Sequence, residues 1–359
     1  MADPLWTSDE IARATGGTAS GGFTATGVSI DTRSLEPGDL FVALAGVRDG
    51  HEFVAQALAK GAAGALVSRD VDGPAVKVGD TMAALEQLGR DRAGAARRGA
   101  VTGSVGKTSI TQAVMAGLKL AGPAHSSVKS YNNHIGVPLT LARMPAATRR
   151  AVFEIGMNHA DEIRPLTKMV RPHAAVVTTV GPVHTENFAD GEAGVARAKA
   201  EIFEGMDGGI AVLNADNRWF DVLAAAARAA RCEIRTFGTG EACDARLIDF
   251  AVTGREARVS AHVRGVSRTF PMLQTGLHWG LNSMAVMLML EALDVDAETA
   301  MAALGAFEPL AGRGAESVVR VAGGTFTLID ESYNANPVSM ASAIATLGAR
   351  AGAGRRIVA

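Results

Sequence analysis

Residues 101–109 read Val-Thr-Gly-Ser-Val-Gly-Lys-Thr-Ser and run directly into a stretch with helical spacing. Gly103 and Gly106 let backbone N–H groups converge on one point, Lys107 adds a positive charge, and Thr108 offers a hydroxyl to a hard cation such as Mg²⁺. The following helix contributes its N-terminal dipole. This is phosphate-binding chemistry, with Ser104, Val105 and Ser109 filling out the loop. The longer G-x-x-x-x-G-K-[ST] pattern is absent, because Val101 stands five residues before Gly106. A glycine turn without a ligand is the rival reading. The strand expected ahead of the loop is also short, little more than Gly-Ala-Val at 99–101.

Two other residues bear on the loop. Glu154 closes the apolar run 151–155, and His184 lies just beyond the run 174–180. Both runs have the composition of buried parallel strands, so both side chains fall outside carboxyl ends, where open α/β sheets hold ligands. With Thr108 they form a candidate Mg²⁺ site, although imidazole is an unusual partner for so hard an ion. Taken singly, each reads better as a solvated strand-end or loop residue. Lys199 sits in 194–205, where helical spacing turns Ile202 and Phe203 inward. By spacing alone it is a solvated surface lysine. The loops 130–142 and 330–340 are dense in Asn, Gly and Pro, consistent with turn chemistry or with polar recognition.

The 359 residues, 48% of them hydrophobic, allow two or three domains with cores of their own. Thirty-five Lys and Arg against 37 Asp and Glu give a net charge of −2, which provides no global field for nucleic acid or an anionic membrane. No run reaches membrane-spanning length, and the N-terminus has neither signal-peptide nor transit-peptide character. Cys232 and Cys243 lack metal-site spacing, so a reducing cytoplasm is the economical reading. Residues 1–95 read as a small α/β unit, with strands in Asp39–Gly46 and Ala63–Ser68 and helices in Gly50–Ala62 and Met82–Arg98. Residues 96–312 alternate strand and helix, which argues for a parallel sheet covered by helices. Residues 313–359 read as one strand, a loop, a helix and the beginning of another strand.

Together these motifs resemble the Mur ligase family of peptidoglycan precursor synthesis. The likeness rests on 27–54, on the loop 101–109, on Asn-Asn-His-Ile-Gly-Val-Pro-Leu-Thr-Leu at 132–141 and on Asp-Glu-Ser-Tyr-Asn-Ala-Asn-Pro-Val-Ser-Met at 330–340, so it spans nearly the whole chain. The last two favour the branch that joins D-Ala-D-Ala to UDP-N-acetylmuramoyl-tripeptide. The shortened phosphate loop is the form this family uses.

The resemblance implies an N-terminal uridine-binding domain at 1–95, a central P-loop ATPase domain at 96–312 and the start of a C-terminal Rossmann-like domain at 313–359. It implies ATP held by Gly103, Ser104, Val105, Gly106, Lys107, Thr108 and Ser109, with Asn282 near the adenine, Arg313 on the phosphates and Asp330 as a further nucleotide contact. Two Mg²⁺ ions would be held by Thr108, Glu154, His184 and Lys199, the lysine carrying a carbamate. Lys107, Glu154, His184 and Lys199 are the implied catalytic residues. Ser29, Thr32, Arg33 and Ser34 would hold the UDP moiety, and Asn133 would face its phosphates. Trp279 and Glu331 stand where many relatives have Asn and Asp.

The implied reaction activates the substrate carboxylate as an acyl phosphate, which the D-Ala-D-Ala amine then attacks, in a cytoplasmic monomer. A sibling amide ligase of the MurE or folylpolyglutamate synthase type, or a catalytically incomplete UDP-peptide and nucleotide binding fragment, are the alternatives. A P-loop GTPase or kinase is disfavoured, since neither NKxD nor a kinase catalytic loop occurs.

Overall fold

The computed structural model of the protein describes residues 4–94, 96–128, 130–350 and 354–359. The chain divides into two units, residues 1–96 with 127–149, and 97–126 with 150–359. Both are mixed α/β.

In the first unit a five-stranded sheet runs in the order Thr18–Ala19, Ala75–Lys77, Gly64–Val67, Asp39–Val42, Gly27–Ser29. The last four are parallel and the first is antiparallel to its neighbour. Segment 127–149, expected from sequence in the central domain, belongs to this unit because its helix Gly136–Ala142 packs on the helix Thr81–Arg92. Gly89 permits the close approach, since a Cβ there would lie 3.2 Å from both Leu141 Cβ and Pro138 O. Trp6 Nε1 donates to Ala142 O at 2.8 Å and Arg143 Nε to Val28 O at 2.6 Å, both fixing the carboxyl end of that helix to strand residues of this unit.

The second unit is built on a nine-stranded sheet. From one edge the strands are Val266–Met272, Glu256–Val263, Ala245–Thr253, Glu233–Gly238, Ile210–Asn214, Ala174–Val177, Arg97–Thr102, Arg150–Glu154 and Ala124–Ser126. Ala245–Thr253 and all strands after it in that order pair parallel. Arg97–Thr102 is the first of them in sequence, yet it lies between Arg150–Glu154 and Ala174–Val177. Strand order therefore reverses there, and a crevice at its carboxyl end is where a ligand is held in such sheets.

The strand before the glycine loop is six residues long rather than the three expected. Its start carries Arg97 and Arg98, which mask it in hydropathy. Arg98 is nevertheless buried, with Nε donating to Val170 O at 2.7 Å, while Arg97 donates to Ala292 O. Burial pulls the Arg98 pKa down to about 10, and the charge of Arg171 adds to the effect. The strand–helix alternation also breaks at residue 245, where three antiparallel strands follow one another through turns at Gly254 (φ +64°) and Gly265 (φ +78°).

The helix Lys107–Leu120 buries Ile110, Ala113, Val114, Gly117 and Leu118, a single helical stripe, against the helices Trp279–Ala292 and Ala297–Ala306. Trp279 points into this core, 3% exposed, with its ring centroid 5.6 Å from that of Phe307. Beyond residue 312 the expected single strand is a hairpin of Ala315–Val321 and Gly324–Asp330, followed by the helix Pro337–Ala349. Residues 354–359 form no strand.

Candidate active site

Gly103 and Gly106 adopt φ of +150° and +85°. A Cβ on Gly103 would overlap Thr178 Oγ1, the hydroxyl that donates to Val105 O at 2.5 Å. The loop is thus moulded against the end of the neighbouring strand, and only glycine fits. Ser104 serves the same purpose: its N–H donates to Thr179 O at 2.8 Å and its hydroxyl exchanges hydrogen bonds with Gly181. Asn217 Nδ2 braces that segment on Thr179 Oγ1 and Val180 O. Gly106 is the N-cap of the helix Lys107–Leu120 and supplies no side-chain cap. Its first-turn N–H groups therefore face the loop without a side-chain partner from the N-cap, as an anion site requires.

Lys107 Nζ donates to Gly103 O at 2.8 Å. Burial pulls its pKa down and Arg313 adds to this, while the negative charge of Glu154 opposes it. Glu154, at the end of its strand, is 1% exposed. Lys199 is 2% exposed, contrary to the surface position its spacing suggested. Its helix, Glu192–Ala200, is so rich in Ala and Gly that it buries every residue from Gly194 to Ala200 except Arg197. Burial drives the Lys199 pKa well below the ordinary lysine value, and the charge of Lys107 drives it the same way. His184 is half-buried at φ +63°. Its pKa is lowered by burial first, then by the charges of Lys199 and Lys107. The structure therefore gathers Lys107, Glu154, His184 and Lys199 into one electrostatic neighbourhood at the sheet's switch point.

Arg313 Nη2 donates to Thr108 Oγ1 at 3.2 Å, and its guanidinium stacks 4.0 Å from the Tyr333 ring centroid. Asp330 spends its carboxylate on backbone groups, Oδ2 accepting from Gly312 N at 3.1 Å and Oδ1 from Ser332 N at 3.0 Å. It holds the turn that bears Arg313. Asn282 stands in the first turn of its helix, with Oδ1 3.7 Å from the point a Cβ on Gly106 would occupy. In the loop 330–340, Asn336 caps the helix Pro337–Ala349 by accepting from Ser339 N at 2.9 Å, so turn chemistry accounts for that asparagine.

Ser29, Thr32, Arg33, Ser34 and Asn133, the residues expected at the UDP moiety, lie in the first unit. The loop bearing the first four is organised by a residue the sequence reading left out. Asp31 forms an ion pair with Arg33 (Nη2–Oδ2 2.6 Å), and its carbonyl accepts from Ser29 Oγ at 3.1 Å and Ser34 N at 3.1 Å. Arg33 itself is 89% exposed. Thr32 Oγ1 donates to Gln56 Oε1 at 3.2 Å. Asn133 Oδ1 accepts from Gly136 N at 2.8 Å and Ile135 N at 3.2 Å, capping the helix Gly136–Ala142.

Residues 101–290 match the Mur ligase middle domain, and residues 24–91 match the Mur ligase family, catalytic domain. The UDP-N-acetylmuramoyl-tripeptide--D-alanyl-D-alanine ligase of Escherichia coli is 36% identical over 90% of this chain and 72% of its own length. The enzyme of the same name from Bacillus subtilis is 34% identical over 92% and 72%. Among solved structures, MurF from Acinetobacter baumannii superposes with a TM-score of 0.85 at 30% identity, covering 98% of this chain and 78% of its own. MurF from Thermotoga maritima in complex with ADP has the same fold, with a TM-score of 0.74 at 24% identity, 89% of this chain and 74% of its own. On this evidence the chain belongs to the Mur ligase family.

Proposed function

We propose that this protein joins D-Ala-D-Ala to UDP-N-acetylmuramoyl-tripeptide at the expense of ATP, through an acyl phosphate, as a cytoplasmic monomer of peptidoglycan precursor synthesis. The chief support is the glycine loop at the sheet's switch point, with Lys107, Glu154, His184 and Lys199 gathered beside it. No helix among the described residues is long and apolar enough to cross a membrane.

Each residue has a task in this reading. Lys107 and Arg313 lie on the phosphates and screen their repulsion toward the incoming carboxylate, while the first-turn N–H groups after Gly106 hold the triphosphate in line. Asn282 lies at the nucleotide base, and Asp330 keeps Arg313 in place. Ser29, Thr32, Arg33 and Ser34 bind the UDP moiety, with Asn133 at its phosphates. We keep 1–95, 96–312 and 313–359 as the functional division, with 127–149 serving the first part.

The donor set suits Mg²⁺ in part. Thr108 and Glu154 offer the oxygen ligands that this ion prefers, and His184 is a weaker match. Among the described residues no group of three or more His, Cys, Asp or Glu could hold a metal, so protein carboxylates alone do not complete the site. A carbamate on Lys199 supplies the missing anionic oxygen, and its buried amine of lowered pKa is the reactive form for that modification. Two bound Mg²⁺ ions would neutralise charge on the transferring phosphoryl group.

Phosphate release should require ATP, UDP-N-acetylmuramoyl-tripeptide and D-Ala-D-Ala together. Release with a folate and glutamate, or with a shorter UDP-linked peptide and a single amino acid, would assign the chain to a sibling reaction instead.

A further inference from the structure

The helix that carries Lys199 continues into the 3₁₀ turn Glu201–Gly205, which opens on a carboxylate only 5% exposed. Glu201 Oε1 accepts from Asp161 N at 2.7 Å and Oε2 from Arg164 N at 3.1 Å. Arg164 lies in the first turn of the helix Ile163–Val170, whose N–H groups there have no partner within their own helix, and Asp161 immediately precedes the N-cap Glu162. Glu201 therefore caps that helix from another segment. Asp161 is held at φ +67°, a left-handed conformation that a non-glycine residue keeps only when its surroundings enforce it.

The segment between these elements is the loop 155–162, which follows directly from Glu154. It has a third tether, for Asn187 Nδ2 donates to Asn158 O at 3.0 Å, and Asn187 belongs to the 3₁₀ turn that begins after His184. The segments bearing Glu154, His184 and Lys199 thus meet on one short loop. Farther along, Thr167 Oγ1 donates to Ile202 O at 2.6 Å and Arg164 Nε to Glu204 Oε2 at 2.7 Å. A Cβ on Gly205 would overlap the Thr167 carbonyl, so the two segments approach backbone to backbone.

We propose that Glu201 is a positioning residue of the ligase reaction: its carboxylate bolts the loop after Glu154 to the end of the Lys199 helix and so sets the spacing of the groups that face the triphosphate. Phosphoryl transfer depends on placement, and an error on the order of 1 Å costs about a hundredfold in rate. Glu201→Gln keeps the size of the side chain but turns an NH₂ toward one of the two backbone N–H groups.

Because this role presupposes the ligase reading, the test carries one readout that needs no turnover. In Glu201→Gln, kcat should fall about tenfold or more while KM for the UDP-linked substrate moves by less than about twofold. The Mg²⁺ concentration giving half-maximal rate should rise, and amide exchange at Asp161 and Arg164 should quicken in the free protein. Thr167→Val removes a bond of the same clamp without touching loop 155–162. It should lower the melting temperature and leave kcat and the Mg²⁺ requirement unchanged.

Unaltered kcat and Mg²⁺ requirement in Glu201→Gln, at a temperature where both variants are folded, would overturn the proposal, and so would equal changes in Thr167→Val. Should Glu201→Gln not fold, Glu201→Asp, one methylene shorter, is read by the same quantities. A wild-type protein that ligates nothing contradicts the ligase reading, whereas exchange at Asp161 and Arg164 still reports on the clamp.

Discussion

The fold sets Lys199 within electrostatic reach of Lys107, so that the 2% exposed ammonium of Lys199 is opposed first by burial and then by a second positive charge. Such placement lowers the amine's pKa and so favours the neutral form, the one that adds CO₂, and a carbamate there would turn repulsion by Lys107 into attraction. Lys199→Ala is therefore expected to lose most ligase activity. Formate or acetate, entering the space vacated by the side chain, should restore part of it. A solvated lysine would change stability by no more than about 0.5 kcal/mol and leave turnover untouched. Rates of the variant across a carboxylate titration distinguish the two.

Gly103 is the tightest point of the phosphate loop. Gly103→Ala is expected to cost about 1–3 kcal/mol of stability, through its φ of +150° and the clash with Thr178, and to abolish nucleotide binding. Gly122→Ala is the comparison, because Gly122 has φ +130° but open space around it. That variant should be destabilised and bind nucleotide normally. Calorimetry with a non-hydrolysable ATP analogue, beside denaturant melts, reads both quantities.

Part of this arrangement could be read from the sequence because buried parallel strands are continuous apolar runs: Glu154 does end the strand Arg150–Glu154, and His184 does follow the strand Ala174–Val177. Three features could not be read in that way. Arg97 and Arg98 hid the start of the central strand, since a guanidinium that finds backbone carbonyls can be buried where hydropathy expects solvent. Lys199 appeared solvated because a helix buried on nearly all sides has no polar face to contrast with it. The antiparallel strands after residue 245 were missed, although Glu256–Val263 alternates exposed and buried residues as a half-covered strand should. Asp31, in the middle of the Ser-Ile-Asp-Thr-Arg-Ser stretch, organises that loop through its carbonyl and carboxylate, a local role that Asp in a turn is suited to.

Arg33 holds the Asp31 carboxyl at about 2, chiefly through the side-chain hydrogen bond and then through its backbone N–H. The unfolded value is about 3.9. A carboxyl depressed by folding contributes stability that is fully present above the unfolded value and is lost as the pH falls through the folded one. Arg33→Ala should raise the Asp31 midpoint part of the way toward about 4, because the backbone N–H of residue 33 still donates to the carboxyl, and should shrink the stability change between pH ~4 and ~2 and weaken binding of the UDP-linked substrate without affecting ATP. Carbon chemical shifts of Asp31 against pH check the first effect, and an unchanged midpoint would show that Arg33 does not hold the carboxyl.

Lys107→Ala should abolish phosphate release, because the loop loses the cation that screens carboxylate from triphosphate. Binding of the UDP-linked substrate should survive, since its expected contacts lie in the first unit and Lys107 in the second. Calorimetry and a phosphate assay on the same preparation provide both readings. Loss of both activities together would mean that the two units do not divide the work in this way.

The central claim is that the acceptor carboxylate itself receives the phosphoryl group before the amine attacks. Labelling the terminal carboxylate of UDP-N-acetylmuramoyl-tripeptide with ¹⁸O and following phosphate by mass spectrometry tests it directly. An acyl phosphate route leaves one labelled oxygen in the released phosphate and the other in the new amide. Unlabelled phosphate formed in step with ligated product would contradict the account.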